Sequence, residues 1–149
     1  MRYGMFLLVE DDREVAQVLM AVMQARDYHA THASSSQQAI ELAMLHQNEL
    51  SLVVCDVRLP GDSGPAVVAK LRKICPRIKT LFTSGFPVEH LLESGILTLE
   101  MLQARDTAYI QKPFLPKDFA GAIQNLLDGV AHTTKAQFNP GITYARAAY

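Results

Sequence analysis

The chain has 149 residues, which is the size of one globular domain with little left for a second. Fourteen Lys and Arg residues against fifteen Asp and Glu residues give a formal net charge of −1, whereas proteins that bind nucleic acids usually carry a basic excess. Hydrophobic residues make up 49% of the chain and charged residues 19%, so the composition is that of a globular protein and excludes a disordered one.

The cysteines and the apolar stretches exclude further classes of protein. Cys55 and Cys75 are too few for a disulfide scaffold and lack the spacing of a zinc site. Every apolar stretch is far shorter than the roughly 20 residues of a membrane-spanning helix. The N-terminus runs directly into Glu10, Asp11 and Asp12 without the features of a signal peptide. We therefore expect no membrane association and a reducing, cytoplasmic location.

Apolar runs alternate with segments of helical periodicity along the chain, which is typical of a parallel α/β sheet. The sequence predicts five strand–helix units in succession. The strands are expected at residues 5–9, 28–33, 52–55, 78–82 and 107–110. The helices are expected to begin near Asp12, Ser36, Pro65, Pro87 and Lys117, and the last one extends to Val130. Asp12 is interpreted as a capping residue of the first helix, where negative charge is favoured.

Polar side chains follow four of the five predicted strands, at the point where each strand ends. They are, in chain order, Glu10, Asp11, Asp56, Ser84 and Lys112. In an open parallel sheet the ligand site lies outside the carboxyl ends of the strands, so these side chains should converge. Converging carboxylates are suited to a hard cation such as Mg²⁺. The five histidines lack ligand spacing and are interpreted as surface or edge residues.

In this order the motifs resemble the receiver domain of two-component response regulators. The matching segments are Glu10-Asp11, residues 55–64 around Asp56, Ser84-Gly85 and Lys112-Pro113-Phe114. The resemblance covers about residues 5–130 and implies a doubly wound (βα)5 fold with a parallel five-stranded sheet of order 2-1-3-4-5. The sequence around Ser84 and around Lys112 is similar to that of receivers in hybrid sensor histidine kinases. The chain could equally be a stand-alone receiver.

The resemblance implies that Asp56 accepts a phosphoryl group from a phosphohistidine donor, either a sensor histidine kinase or a histidine phosphotransfer protein. The acyl phosphate would make the domain a conformational switch, or a relay or sink for phosphate. Mg²⁺ would offset the charge repulsion between carboxylate and phosphoryl oxygens. By the same resemblance its ligands would be Asp11 directly, Glu10 mainly through water, Asp56, and the main-chain carbonyl of Arg58.

Three further roles are implied by the resemblance. Lys112 would supply a cation to the phosphoryl oxygens, and the family's Lys–Pro bond is usually cis. Ser84 would donate its hydroxyl to a phosphoryl oxygen. Tyr109 matches the aromatic switch residue that turns inward when that hydroxyl moves; the alternative is an ordinary strand aromatic with its hydroxyl in water. The chain would not be an enzyme beyond self-catalysed phosphotransfer and autodephosphorylation.

Two other functions compete with this interpretation. A receiver-like docking module that accepts no phosphate would share the fold. A hydrolase of the haloacid dehalogenase type would also use an aspartate nucleophile and Mg²⁺, but it needs a second Asp where Arg58 stands. Direct DNA binding is not expected, since the cluster of basic residues complements the end of a helix; it comprises Lys70, Arg72, Lys73, Arg77 and Lys79. Homodimer formation is left open.

Two segments depart from the family pattern. The segment between Ser84 and Lys112 is several residues longer than in most receivers, and residues 95–106 lack clear periodicity. An altered or partly irregular fourth helix is therefore predicted. We expect a receiver domain at residues 1–130 and a tail at 131–149 that is too short for an output domain. Apolar residues in that tail lead us to expect that it packs on its own domain or on a neighbouring chain.

Overall fold

The computed structural model describes residues 3–129. Val130, with which the last predicted helix ends, and the tail predicted at residues 131–149 lie outside the described residues. The expectation that this tail packs on a protein surface therefore stays a prediction. No helix within residues 3–129 is both long and apolar enough to cross a membrane.

A parallel sheet of five strands forms the centre of the molecule. In chain order the strands are β1 Met5–Val9, β2 His29–Ala33, β3 Leu50–Asp56, the short β4 Arg58–Leu59 and β5 Asp62–Ser63, β6 Lys79–Ser84 and β7 Thr107–Gln111. The five-stranded sheet has the order β2-β1-β3-β6-β7. This is the predicted 2-1-3-4-5 order of a doubly wound fold, once the short antiparallel pair of β4 and β5 is set aside. All five residues of β1 are buried, as a strand covered on both faces requires.

Helices cover both faces of the sheet and divide the core in two. They are α1 Arg13–Ala25, α2 Ser36–Leu45, α3 Gly64–Ile74, α4 Val88–Glu93, α5 Leu99–Gln103 and α6 Pro116–Asp128. One cluster of buried residues joins one face of the sheet to α2, α3, α4 and α5. The other joins the opposite face to α1 and α6. The predicted fold class, a doubly wound α/β domain, is confirmed.

The ends of the first and last helices show how local chemistry sets their bounds. The Asp12 carboxylate accepts hydrogen bonds from the main-chain N–H groups of Glu14 (2.9 Å) and Val15 (3.2 Å), so its predicted capping role is confirmed. α6 ends at Asp128 because Gly129 adopts a left-handed conformation with φ 66°. The predicted end at Val130 was therefore two residues too late.

The crossover between β6 and β7 contains two short helices where one was expected, which confirms the prediction of an altered fourth helix. α4 has six residues and α5 has five. Gly95, with φ 77°, ends the first, since a left-handed residue cannot continue a helix. Thr98 begins the second, because its side chain accepts a hydrogen bond from the Met101 N–H at 3.2 Å. Between them Leu97 is buried against the sheet.

Two short strands follow Asp56. β4 and β5 form an antiparallel pair, and Gly61 lies between them with φ 76°. The peptide bond between Lys112 and Pro113 is cis, as the family resemblance implies.

Three of the basic residues grouped in the sequence bind partners within the domain. Lys70 pairs with Asp62 at 3.4 Å. Arg72, in the last turn of α3, donates to the hydroxyls of Thr80 and Thr107 at 3.1 Å. Lys79 donates at 2.6 Å to a main-chain carbonyl near the end of α6, where a cation complements the helix dipole.

Both cysteines are buried free thiols. Cys55 is the neighbour of Asp56 in β3, and Cys75 follows α3. Burial raises the pKa of both thiols, because a buried site disfavours the charged thiolate.

Candidate functional site

The carboxyl ends of four neighbouring strands bring the predicted site residues together. Glu10 follows β1, Asp56 ends β3, Ser84 ends β6 and Lys112 follows β7. The strands lie side by side in the order β1-β3-β6-β7, with parallel pairing throughout. Their ends must therefore meet at one edge of the sheet.

Three carboxylates form the acidic part of this edge. Oxygen atoms of Glu10, Asp11 and Asp56 all lie within 4.8 Å of one another. Glu10 is buried, Asp56 is partly buried and Asp11 is exposed. Asp12 is not a member of this group, and its carboxylate is engaged at the start of α1.

Lys112 is the cation of the site. Its Nζ donates to Asp56 Oδ2 at 2.8 Å and also to Glu10 Oε1. Burial alone would lower the pKa of Lys112, but the two carboxylates more than offset this effect, and the net shift is upward. The ammonium group is therefore charged and bridges the acid from β1 to the acid from β3.

Glu10 carries a carboxylate that Lys112 only partly satisfies. Burial raises the pKa of Glu10 to about 7, and the attraction of Lys112 opposes that rise only in part. Glu10 Oε2 is buried and has no hydrogen-bond partner among residues 3–129. An orphaned buried carboxylate oxygen beside two other carboxylates fits a divalent cation with oxygen ligands, so the donor set agrees with Mg²⁺.

Ser84 and Tyr109 meet at the main chain of Phe86. The buried Ser84 hydroxyl accepts a hydrogen bond from the Phe86 N–H at 3.1 Å. The Tyr109 hydroxyl donates to the Phe86 carbonyl oxygen, and its ring is buried. Tyr109 thus faces inward, and the alternative interpretation with its hydroxyl in water does not match this arrangement.

Arg58 lies two residues after Asp56. Its main-chain N–H donates to Asp56 Oδ1 at 3.0 Å, while its guanidinium carbon lies 4.4 Å from the centroid of the Phe86 ring. A cation therefore stands where a haloacid dehalogenase-type hydrolase requires its second carboxylate. The geometry disfavours that alternative.

Sequence reasoning missed two residues of the site region. His90, interpreted as a surface residue, stacks on Phe86 with ring centroids 5.0 Å apart. The spacing of four residues between two aromatic rings at the start of a helix could have indicated this contact. The second is Gly64, which the sequence indicated only as part of the segment 55–64: a Cβ atom there would overlap the Asp56 carbonyl oxygen and lie 2.9 Å from Val57 Cα.

Comparisons with known proteins agree with this geometry. A sequence profile of the response regulator receiver domain matches residues 6–124. The chain is 30% identical over 122 residues to the sensor kinase CckA of Brucella abortus. The matched region covers 82% of this chain and 12% of that kinase. It is 27% identical to the response regulator receiver protein CpdR of the same organism, with 81% of this chain and 94% of CpdR covered.

Solved structures show the same fold. The receiver domain of the hybrid histidine kinase CckA superposes with a TM-score of 0.67 at 25% identity, covering 83% of this chain and 99% of that domain. A CheY-like receiver domain protein from Methanospirillum hungatei superposes with a TM-score of 0.66 at 21% identity, covering 93% and 98%. The chain therefore belongs to the response regulator receiver domain family, the signalling domains of two-component systems that interact with histidine kinases or phosphotransfer proteins.

Proposed function

We propose that this domain accepts a phosphoryl group on Asp56 from a phosphohistidine donor, in an Mg²⁺-dependent reaction, and so acts as a switch or as a relay or sink for phosphate. The observation that carries the proposal is the contact of Lys112 with Asp56, at the end of β3 and inside the acidic cluster. A lone surface aspartate would need neither a bridging cation nor two further carboxylates.

In the proposed step an Asp56 carboxylate oxygen attacks phosphorus while the P–N bond to the donor imidazole breaks. The bonding electrons return to the imidazole nitrogen, and the product is a mixed anhydride on Asp56. Lys112 Nζ would stabilise the negative charge that develops on the phosphoryl oxygens, since it already contacts the accepting carboxylate. Ser84 would donate its hydroxyl to one of these oxygens.

Glu10, Asp11 and Asp56, together with the main-chain carbonyl of Arg58, would hold Mg²⁺. The ion supplies charge neutralisation between carboxylate and phosphoryl oxygens when it is bound. The cluster of three carboxylates and the orphaned Glu10 oxygen support this assignment.

The whole-protein role is proposed by analogy with the relatives. The donor would be a sensor histidine kinase or a histidine phosphotransfer protein, and the location cytoplasmic. The receiver would occupy residues 1–130, without direct DNA binding of its own, and a homodimer is compatible with it. Tyr109 is buried and its hydroxyl binds the main chain of Phe86, the residue whose N–H binds Ser84, which supports a switch role for both side chains.

Intact mass after incubation with Mg²⁺ and phosphoramidate, a small donor with a P–N bond, tests the chemistry directly. We expect one phosphoryl adduct on the wild type and none on Asp56→Ala or without metal. Asp62→Ala, which changes another carboxylate of the same loop, serves as the control and should keep the adduct. An unmodified wild type under all conditions would refute phosphoryl acceptance and favour the docking-module alternative.

Metal binding is measurable without any phosphodonor. We expect Mg²⁺ to raise the melting temperature, because an ion that binds only the folded state stabilises it by mass action. Asp11→Asn should abolish that rise. Asp12→Asn keeps a good helix cap and leaves the cluster intact, so its Mg²⁺ response should equal that of the wild type. Equal responses from both variants would contradict the proposed ligand set.

A further inference from the structure

Three side chains, from β4, the loop after β6 and α4, stack on one another beside the site; we refer to Arg58, Phe86 and His90 as the Phe86 stack. The guanidinium carbon of Arg58 lies 4.4 Å from the Phe86 ring centroid. The His90 ring lies 5.0 Å from the same centroid at an interplanar angle of 21°. Phe86 is 41% exposed, and Arg58 and His90 both contact its ring.

The main chain of Arg58 and that of Phe86 each donate a hydrogen bond to a side chain of the proposed reaction. The Arg58 N–H donates to Asp56 Oδ1 at 3.0 Å, and the Phe86 N–H donates to Ser84 Oγ at 3.1 Å. His90 adds a link to α4. The stack therefore joins the loop of the accepting carboxylate to the loop of the hydroxyl.

The bond to Ser84 leaves that hydroxyl able to act. A serine hydroxyl has two lone pairs and one hydrogen, and accepting the Phe86 N–H uses a lone pair only. The hydrogen can still be donated to a phosphoryl oxygen. Fixing the Gly85–Phe86 peptide thus fixes the position of Ser84 Oγ, and the Tyr109 hydroxyl holds the next peptide through the Phe86 carbonyl oxygen.

We infer that the Phe86 stack positions the Ser84 hydroxyl for the phosphoryl group, which makes Phe86 and His90 positioning residues of the phosphotransfer. The inference rests on the proposed function. Loss of one aromatic contact should slow phosphorylation about three- to tenfold, the rate factor that corresponds to the strength of such a pair.

Phosphorylation rates with phosphoramidate and Mg²⁺ test the inference through paired variants. His90→Ala should be slowed about three- to tenfold, and His90→Phe, which keeps an aromatic ring, should recover most of the rate. His29→Ala, a change at another exposed histidine, should react like the wild type. In a Ser84→Ala background His90→Ala should cause no further loss, because its effect passes through the missing hydroxyl. An equal loss in both backgrounds would overturn the inference.

Amide hydrogen exchange gives a second readout in the protein without metal or donor. The Phe86 N–H should exchange several-fold faster in His90→Ala than in the wild type, and His90→Phe should restore its protection. Unchanged exchange would show that the ring contact does not hold this peptide. A wild type that takes no adduct would refute the proposed function itself, whereas normal phosphorylation of His90→Ala would refute only the positioning role.

Discussion

The helical segments on either side of β7 are built differently. α6, which follows β7, is one helix of 13 residues with a buried stripe. The crossover that precedes β7 consists of α4 and α5, with six and five residues, separated by Gly95 and the buried Leu97. Asp56, Ser84 and Lys112 still meet at one edge of the sheet, because strand pairing and not the regularity of the crossover brings their strands together.

Replacing one buried leucine in each helical segment tests whether both segments belong to the core. Leu102 in α5 and Leu126 in α6 are both completely buried. We expect Leu102→Ala and Leu126→Ala each to lower the free energy of unfolding by about 2–5 kcal/mol, because each leaves a cavity. Urea denaturation measures both. A cost below about 1 kcal/mol for Leu102→Ala alone would mean that α5 is a detachable segment, well short of the usual leucine-to-alanine range.

Two helical glycines contrast the crowded start of α3, beside Asp56, with the open surface of α6. At Gly64 a Cβ would meet the backbone of Asp56 and Val57, whereas at Gly121 in α6 it would meet no atom within 4 Å. We expect Gly64→Ala to cost about 1–3 kcal/mol through overpacking. Gly121→Ala should gain about 0.5–1 kcal/mol, since alanine is the better helix residue. Equal stabilities in thermal or urea unfolding would contradict this contrast.

The smallest expected effect concerns the start of α5. Thr98 caps α5 and Ser35 caps α2, each through one side-chain bond of 3.2 Å. Alanine at either position should cost about 1 kcal/mol, and Thr98→Asn should retain most of the stability. A five-residue helix has few other bonds, so Thr98→Ala should also speed amide exchange throughout α5. Exchange that stays unchanged there would mean that packing alone holds this helix.

Much of the fold follows from the sequence because parallel strands have a strong signal. Continuous apolar runs such as residues 5–9 locate buried strands, and the polar residue after each run marks the functional edge. The interpretation of Asp12 as a cap, and not as a third ligand, rested on its position before a helical stripe and is confirmed. The length and weak periodicity of the segment before β7 predicted an altered fourth helix, but not its division into two short helices.

Other features depend on contacts that no local pattern reveals. β4 and β5 have two residues each, too few for any periodicity. The position of Glu10 was predictable, but its almost complete burial, which raises its pKa, depends on the surrounding elements together. The contact of Phe86 with Arg58 joins positions 28 residues apart, and only the pairing of β3 with β6 brings them together.

The burial of both cysteines has a practical consequence for following motions of this domain. The thiolate is the form that attacks alkylating reagents, so a buried thiol of raised pKa reacts only after the surrounding structure opens. Cys55 lies next to Asp56 at the carboxyl end of β3, while Cys75 precedes the amino end of β6. The unaltered chain therefore carries two built-in labelling positions, one toward each end of the sheet. Comparing the alkylation rates of Cys55 and Cys75 would show which end of the sheet becomes accessible first when the proposed phosphoryl group is present.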